Sequence, residues 1–392
     1  MAHRISALHN AEGLMIKQKV AIFMKRIILS GGGTGGHIYP AVAVAEALKR
    51  EWGDDVEILF VGAEGKMEME KVPALGYRIE GLPVAGLQRR FTLKNLALPF
   101  KVMASVRRAK RVIKEFGADI VVGFGGYASA PILWAAQRMG IPTIIQEQNS
   151  YAGLTNKLLS KRAKRICVSY DNMERFFPKE RIVMTGNPLR GDFSTVSSKR
   201  EEALRYYGFN AELPVVFVVG GSLGTRTLNE MVKAWILSFD GVAPVQLIWQ
   251  TGKFYEAEMQ AFLKEHPTKN VWQGAFIERM DYAYAAADVV LSRSGACTVS
   301  ELCLVAKSVI FVPSPNVAED HQTKNAMALV EKGAAEIVHD REAVACGMQR
   351  AVALASDESR REVLEKNIAQ LAIADSATRV VREIEKELAK LK

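Results

Sequence analysis

The sequence predicts an α/β protein of two doubly wound, Rossmann-like domains with parallel sheets, and three observations carry that reading. Nearly continuous β-branched runs alternate with segments of helical length and period, the pattern of strands covered on both faces. A glycine-rich turn follows a strand at Gly31–Gly36, and another at Gly220–Gly224. The second turn opens a new strand–helix series some 190 residues after the first. With 392 residues, of which 49% are hydrophobic, the chain can bury two cores.

The elements follow in order. Residues 1–23 carry scattered charges and no compact apolar stretch ahead of a small-residue cleavage site. They read as a dispensable, disordered extension or an upstream start choice ahead of Met24, rather than a secretory signal. The first domain, 24–190, has strand runs in "RIILSG", "VEILFVG", "ADIVVGF", "PTIIQE" and "RICVSY". A stretch rich in glycine, proline and serine, Gly186 to Arg200, supplies a linker at 191–199. The second domain, 200–373, has runs in "PVVFVVGG", "VQLIWQTG", "VWQGAF", "ADVVLSR" and "SVIFVPS". The tail 374–392 is a charged amphipathic helix that can pack back toward the first domain.

Composition narrows the functional classes. The longest uncharged run, Ile120 to Gln137, holds three glycines and a proline, so no membrane span is expected. Cys167, Cys297, Cys303 and Cys346 show neither metal spacing nor a disulfide framework, which fits a reducing, cytoplasmic compartment. No Asp-x-Asp occurs, and no cofactor or metal is called for. The net charge is +9, and Val84 to Phe116 alone holds nine Lys/Arg against Glu115, a local +8. Arg89, Arg90, Phe91, Leu96, Phe100 and Lys101 interleave cations with apolar side chains there. A solvated helix face and a nucleic-acid surface are the competing readings. Without a nucleic-acid motif, an anionic membrane surface is favoured.

The loops carry the chemistry. Gly31, Gly33 and Gly36 satisfy G-x-G-x-x-G, yet the next strand ends in Gly62 without the ribose-binding acid of a dinucleotide site. No Lys-Ser/Thr follows, so it is no Walker loop either. His37, in the first turn of the next helix, sits where the helix dipole disfavours imidazolium. A neutral base at pH 7 results, as a general base facing a cleft requires. A purely structural histidine is the alternative. "GFGGYASAP" and "QEQNSYAGLTNK" follow later strands on the same carboxyl edge, where ligands of open α/β sheets bind. Glycines alone would make packing turns, but Glu147, Gln148 and Asn149 together point to a mouth.

In the second half, Ser222 can cap a helix or meet a phosphate. Glu301 has capping-box spacing from Thr298, or it can accept from two vicinal ribose hydroxyls. His321, Gln322 and Asn325 supply groups that suit sugar hydroxyls. Arg190 can meet a diphosphate without a bound ion.

Taken in order, "GGGTGGHIYPAVAVAEAL", "GFGGYASAP", "EQNSYAGLTNK", "TGNPLR", "GGSLGTRTLNE", "SRSGACTVSE" and "DHQTKNA" resemble the motif series of glycosyltransferase family 28. The resembling family is the peripheral-membrane N-acetylglucosaminyltransferases of bacterial peptidoglycan synthesis. The match runs from about Lys25 to the C-terminus. It implies a GT-B fold, two such domains facing across a cleft. It implies an inverting transfer of GlcNAc from UDP-GlcNAc to the 4-hydroxyl of MurNAc in undecaprenyl-diphospho-MurNAc-pentapeptide (lipid I), giving lipid II at the cytoplasmic face of the inner membrane. Cell-wall synthesis proteins are further partners it admits. Carried onto this chain, His37 is the base and Glu147 the second choice. Gly33, Thr34 and Tyr127 lie on the acceptor side. Thr34, Gly35, Gly36 and Asn149 also reach the donor, with Arg190 and Ser222 on the diphosphate. The Ile277 backbone holds the uracil, Glu301 the ribose, and Gln322 and Asn325 the GlcNAc hydroxyls. Rival readings are a same-fold transferase with another lipid acceptor, a UDP-GlcNAc 2-epimerase, a NAD-dependent oxidoreductase and a non-catalytic UDP-sugar-responsive membrane adaptor.

Overall fold

The computed structural model describes residues 24–84 and 98–391, apart from 192, 194 and 222. Ser222, Arg89, Arg90, Phe91 and Leu96 therefore lie outside the described residues.

Seven parallel strands form the first sheet: β1 (Lys25–Ser30), β2 (Val56–Ala63), β3 (Ile79–Leu82), β4 (Ile120–Gly123), β5 (Thr143–Glu147), β6 (Arg165–Val168) and β7 (Ile182–Met184). Their spatial order is β3-β2-β1-β4-β5-β6-β7. β1 lies inside the sheet, with Ile27 in register between Ile58 and Ile120. The second sheet has six strands: β8 (Val215–Val219), β9 (Val242–Gln250), β10 (Lys269–Gly274), β11 (Val289–Ser292), β12 (Ser308–Phe311) and β13 (Glu336–Ile337). Their order is β10-β9-β8-β11-β12-β13. Each sheet carries an apolar cluster on either face, which is why its central strands read as unbroken apolar runs rather than alternating ones.

The ten runs expected from sequence all become strands. β3, β7 and β13 were not expected. They are short, partly exposed, and each closes an edge of its sheet. An edge strand packs less apolar surface, so its sequence carries less pattern.

Helices cover both faces. In the first lobe these are α1 (Gly35–Trp52), α2 (Glu68–Ala74), α3 (Leu98–Phe116), α4 (Ala130–Arg138) and α5 (Leu154–Leu159). In the second they are α6 (Arg200–Tyr207), α7 (Arg226–Ile236), α8 (Glu256–Glu265), α9 (Met280–Ala286), α10 (Ala296–Val305), α11 (His321–Val330), α12 (Asp340–Ser356) and α13 (Glu358–Ala369). The last helix, α14 (Ser376–Ala389), returns to the first lobe. Its Val380, Val381 and Ile384 are buried in the same cluster as Ile27 and Leu48, and Glu383 and Glu387 both pair with Arg165.

α3 buries Ala109, Val112, Ile113 and Phe116 against the first sheet. Its other face is exposed, with Val102 and Met103 toward its start and Arg107, Arg108, Lys110, Arg111 and Lys114 beyond. Phe100 and Lys101 fall in its first turn. Among the described residues, no helix is long and apolar enough to cross a membrane.

Candidate functional site

The loop after β1 sets the chemistry. Thr34 takes an extended conformation before α1, which places His37 in the first helical turn. His37 Nδ1 lies 3.1 Å from the Gly32 carbonyl and 3.1 Å from Thr34 Oγ1. A carbonyl can only accept, so Nδ1 carries the hydrogen and Nε2 keeps its lone pair. Burial holds the imidazole's pKa below its ordinary value, and His321 adds to that. The Glu147 and Glu68 charges and the Gly32 carbonyl act the other way. The direction expected from the helix dipole is present, but desolvation is its leading cause.

Room for the ring comes from the turn after β4. A Cβ on Gly125 would sit 3.3 Å from Nε2. At Gly126, where φ is +76°, it would lie 2.4 Å from the Gly32 carbonyl oxygen. Tyr127, from the same turn, packs beside Gly33.

Glu68, at the start of α2, was missed by the sequence reading. Its carboxylate is fully buried and accepts from Gly33 N–H and Ala63 N–H, each at 3.0 Å. It clamps the glycine loop onto the end of β2 and adds negative charge near His37. Only its helix-start position was visible in sequence, where an acid is ordinary.

Glu147, the second choice of base, is placed otherwise. Oε1 accepts from the backbone and side-chain N–H groups of Asn149 at 3.1 and 3.3 Å. Oε2 accepts from Gly153 N–H at 3.0 Å and from Asn156 Nδ2 at 2.8 Å. With four donors on its two oxygens, this carboxylate fixes the loop, and its charge acts on His37.

The second lobe presents helix ends. Thr225 precedes α7, and Gly295 precedes α10 in an extended conformation. The capping box expected of Thr298 and Glu301 is absent: Gly295 holds the cap position and makes no side-chain bond. Glu301 Oε2 instead accepts from the Tyr284 hydroxyl at 2.9 Å. Burial pushes the Glu301 carboxyl up to about 7, against that hydrogen bond. Ile277 is 2% exposed, its side chain in the core with Phe217 and Tyr284.

Two of the cavities between the lobes adjoin the glycine-rich turns. One, of about 580 Å³, is lined by Thr34, Gly36, His37, Tyr127, Glu147 and Asn149 from the first lobe, and by Gly295, His321 and Gln322 from the second. The other, of about 690 Å³, is lined by the turn Gly220–Gly221, the residues opening α7, and Thr298, one turn before Glu301. Gly35 reaches it from the first lobe. The cavities share Gly295, Asn316 and Gln322 as lining residues, so they lie side by side. Two helix N-termini, of α7 and α10, border the second cavity, an arrangement suited to phosphate oxygens.

Several expected contacts are placed differently, and neither Glu301 nor Ile277 is a lining residue of either cavity. Arg190 is not a lining residue of either cavity; its Nε donates to Glu46 at 3.2 Å and its guanidinium lies over Tyr39. Asn325 is fully buried, with its amide bonded to Ser150, Asn149 and Ser294. Asn149, expected at the donor, thus faces Asn325. Gln322 lines both cavities, but its Oε1 already accepts from Ser314 N–H at 2.8 Å. Among the described residues no cluster of His, Cys, Asp and Glu is arranged to hold a metal ion.

Residues 27–168 match the glycosyltransferase family 28 N-terminal domain, and 215–383 match its C-terminal domain. The chain is 52% identical to the UDP-N-acetylglucosamine–N-acetylmuramyl-(pentapeptide) pyrophosphoryl-undecaprenol N-acetylglucosamine transferase of Parabacteroides distasonis, over 92% of this chain and 98% of that one. It is 51% identical to the Porphyromonas gingivalis protein of the same name, over 92% and 94%. Among solved structures it is similar to Acinetobacter baumannii MurG, with a TM-score of 0.72 and 29% identity over 92% and 99%. The calicheamicin glycosyltransferase CalG4, at 17% identity and a TM-score of 0.66 over 93% and 98%, shares the fold. Two parallel-sheet lobes facing across a divided cavity, together with these matches over both halves, place the chain in glycosyltransferase family 28.

Proposed function

We propose that this chain transfers GlcNAc from UDP-GlcNAc to the 4-hydroxyl of MurNAc in undecaprenyl-diphospho-MurNAc-pentapeptide, inverting the anomeric centre. The observation that carries the reading is the His37 Nδ1 contact with the Gly32 carbonyl, which leaves Nε2 its lone pair, in a cavity that shares Gly295, Asn316 and Gln322 with one bordered by two helix N-termini. Relatives about half identical, named for this reaction, support it. Inversion takes one in-line displacement and no protein nucleophile. His37 Nε2 accepts the proton of the attacking hydroxyl as the new glycosidic bond forms. The bond from the anomeric carbon to UDP breaks, and the N-termini of α7 and α10 stabilise the charge left on the diphosphate. The Gly33–Gly36 loop and Tyr127 hold the acceptor sugar, Glu301 takes the ribose hydroxyls, the Ile277 backbone the uracil, and Gln322 the GlcNAc. Enclosure between the lobes excludes water that would hydrolyse the donor.

The acceptor hangs on a lipid, so the first lobe works against a membrane. The exposed cations of α3, with Val102 and Met103 exposed on the same helix, support contact with an anionic surface at the inner face of the membrane. The test incubates labelled UDP-GlcNAc with a lipid I analogue and omits each in turn. Label in lipid II only when both are present is the expected result. UDP-ManNAc formed without lipid makes the chain an epimerase, and transfer to diacylglycerol alone makes it a different lipid transferase. Vesicle flotation with and without anionic lipid tests the surface, and equal binding to both rejects it.

A further inference from the structure

We propose that Asn325 is a positioning residue, an amide latch that fixes the two lobes in the register at which His37 meets the donor cavity. The proposal rests on the transfer reading above. Asn325 sits on α11 in the second lobe and is fully buried. Its Oδ1 accepts from Ser150 N–H at 2.9 Å, across 175 residues of sequence. Its Nδ2 donates to Asn149 Oδ1 at 3.1 Å and to the Ser294 carbonyl at 3.3 Å. The bonds to Ser150 and Asn149 cross the lobe boundary; the one to Ser294 anchors the amide in its own lobe. Beside them, Lys324 Nζ lies 3.5 Å from the centre of the Tyr151 ring. Three consecutive residues of one lobe thus meet two consecutive residues of the other.

The bonds also form a chain. Ser294 precedes Gly295, which lines both cavities. From Ser294 the chain runs through Asn325 to Asn149, and from Asn149 to Glu147. Glu147 is the carboxylate whose charge acts most strongly on His37. The wall of the donor cavity and the electrostatic partner of the base are therefore held by one side chain. An amide suits the position, because it needs one acceptor and two donors at once. Aspartate would keep the acceptor and lose the donor.

The test combines a cycle of Asn149→Ala, Asn325→Ala and the double variant with Asn325→Asp. In substrate-free protein, hydrogen exchange at the Ser150 amide should quicken at least about tenfold in Asn325→Ala, as one buried hydrogen bond is lost. With a lipid I analogue, kcat should fall about tenfold in each single variant, and the double variant should lose no more than the worse single one. In Asn325→Ala, KM for UDP-GlcNAc and the calorimetric Kd for UDP should stay within twofold. Asn325→Asp should resemble Asn325→Ala in kcat. Unchanged Ser150 exchange, losses that multiply in the double variant, or a raised KM at normal kcat would each overturn the latch; the last would mark Asn325 as a sugar contact. Should Asn325→Ala fail to fold, Asn149→Ala alone carries the kcat and exchange measurements. Wild-type protein that does not transfer GlcNAc rejects the transfer reading and leaves the Ser150 exchange to decide the latch.

Discussion

Replacing Glu68 tests how the glycine loop is held. The carboxylate accepts from two backbone N–H groups, Gly33 and Ala63, at 3.0 Å each. In Glu68→Ala both donors lose their acceptor. Gly33 is exposed and can turn to water, whereas Ala63 is fully buried and cannot. A hydrogen bond to a charged group contributes roughly 1.5–3 kcal/mol, so one complete and one partial loss come to about 2–4 kcal/mol. Glu68→Gln keeps the shape but turns one acceptor into a donor that faces an N–H, and should cost about 1.5–3 kcal/mol. Denaturant unfolding measures both changes. Loop order and charge near His37 change together, so turnover should fall in the glutamine variant while UDP binding in the other lobe stays intact. The negative charge of Glu68 raises the imidazole's proton affinity. Its removal should therefore shift the acid limb of the kcat/KM profile to lower pH. A Glu68→Gln protein with wild-type stability, turnover and pH profile would refute the clamp.

Further outcomes concern the base and the donor carboxylate. His37→Ala should lower kcat by about 10²–10⁴ and leave UDP affinity within twofold, and near-normal turnover would point to another base. Since burial holds His37 below 6.5, activity should reach its plateau by neutral pH. Its folded pKa lies under the unfolded one, so acidification protonates the unfolded chain first and this residue's effect is to lower stability below about pH 6.5. Glu301 shifts the other way, up to about 7. A ribose diol donates best to the carboxylate, so UDP should bind up to about tenfold more weakly at pH 6 than at pH 8. Glu301→Gln should abolish that dependence in calorimetry. A variant that retains it would show that another group titrates.

Much of this molecule was legible because its signals are local. Central strands such as Val215–Val219 announce themselves as apolar runs since both faces are covered. Glycines after β1 and β4 mark places where the backbone turns tightly beside a ring, and His37 stands out by its position in a helical first turn. Pattern could not find β3, β7 and β13, because an edge strand is defined by the neighbour it pairs with. Nor could it find Glu68, whose partners lie 35 residues back and 5 residues back along the chain, on a loop and a strand end.

Glu147, Arg190 and Asn325 show the same limit from the side of function. Their residue types suit a base, a phosphate ligand and a sugar ligand, and sequence can say no more than that. Folding engages them with Asn156, Glu46 and Ser150. The sequence alone determined two parallel-sheet lobes, the glycine turns and the identity of the neutral imidazole, since periodicity and turn chemistry act between near neighbours. Only the tertiary structure decided which polar groups face the cavities and which hold the lobes together, because hydrogen bonds are satisfied by whichever group packing brings within about 3 Å.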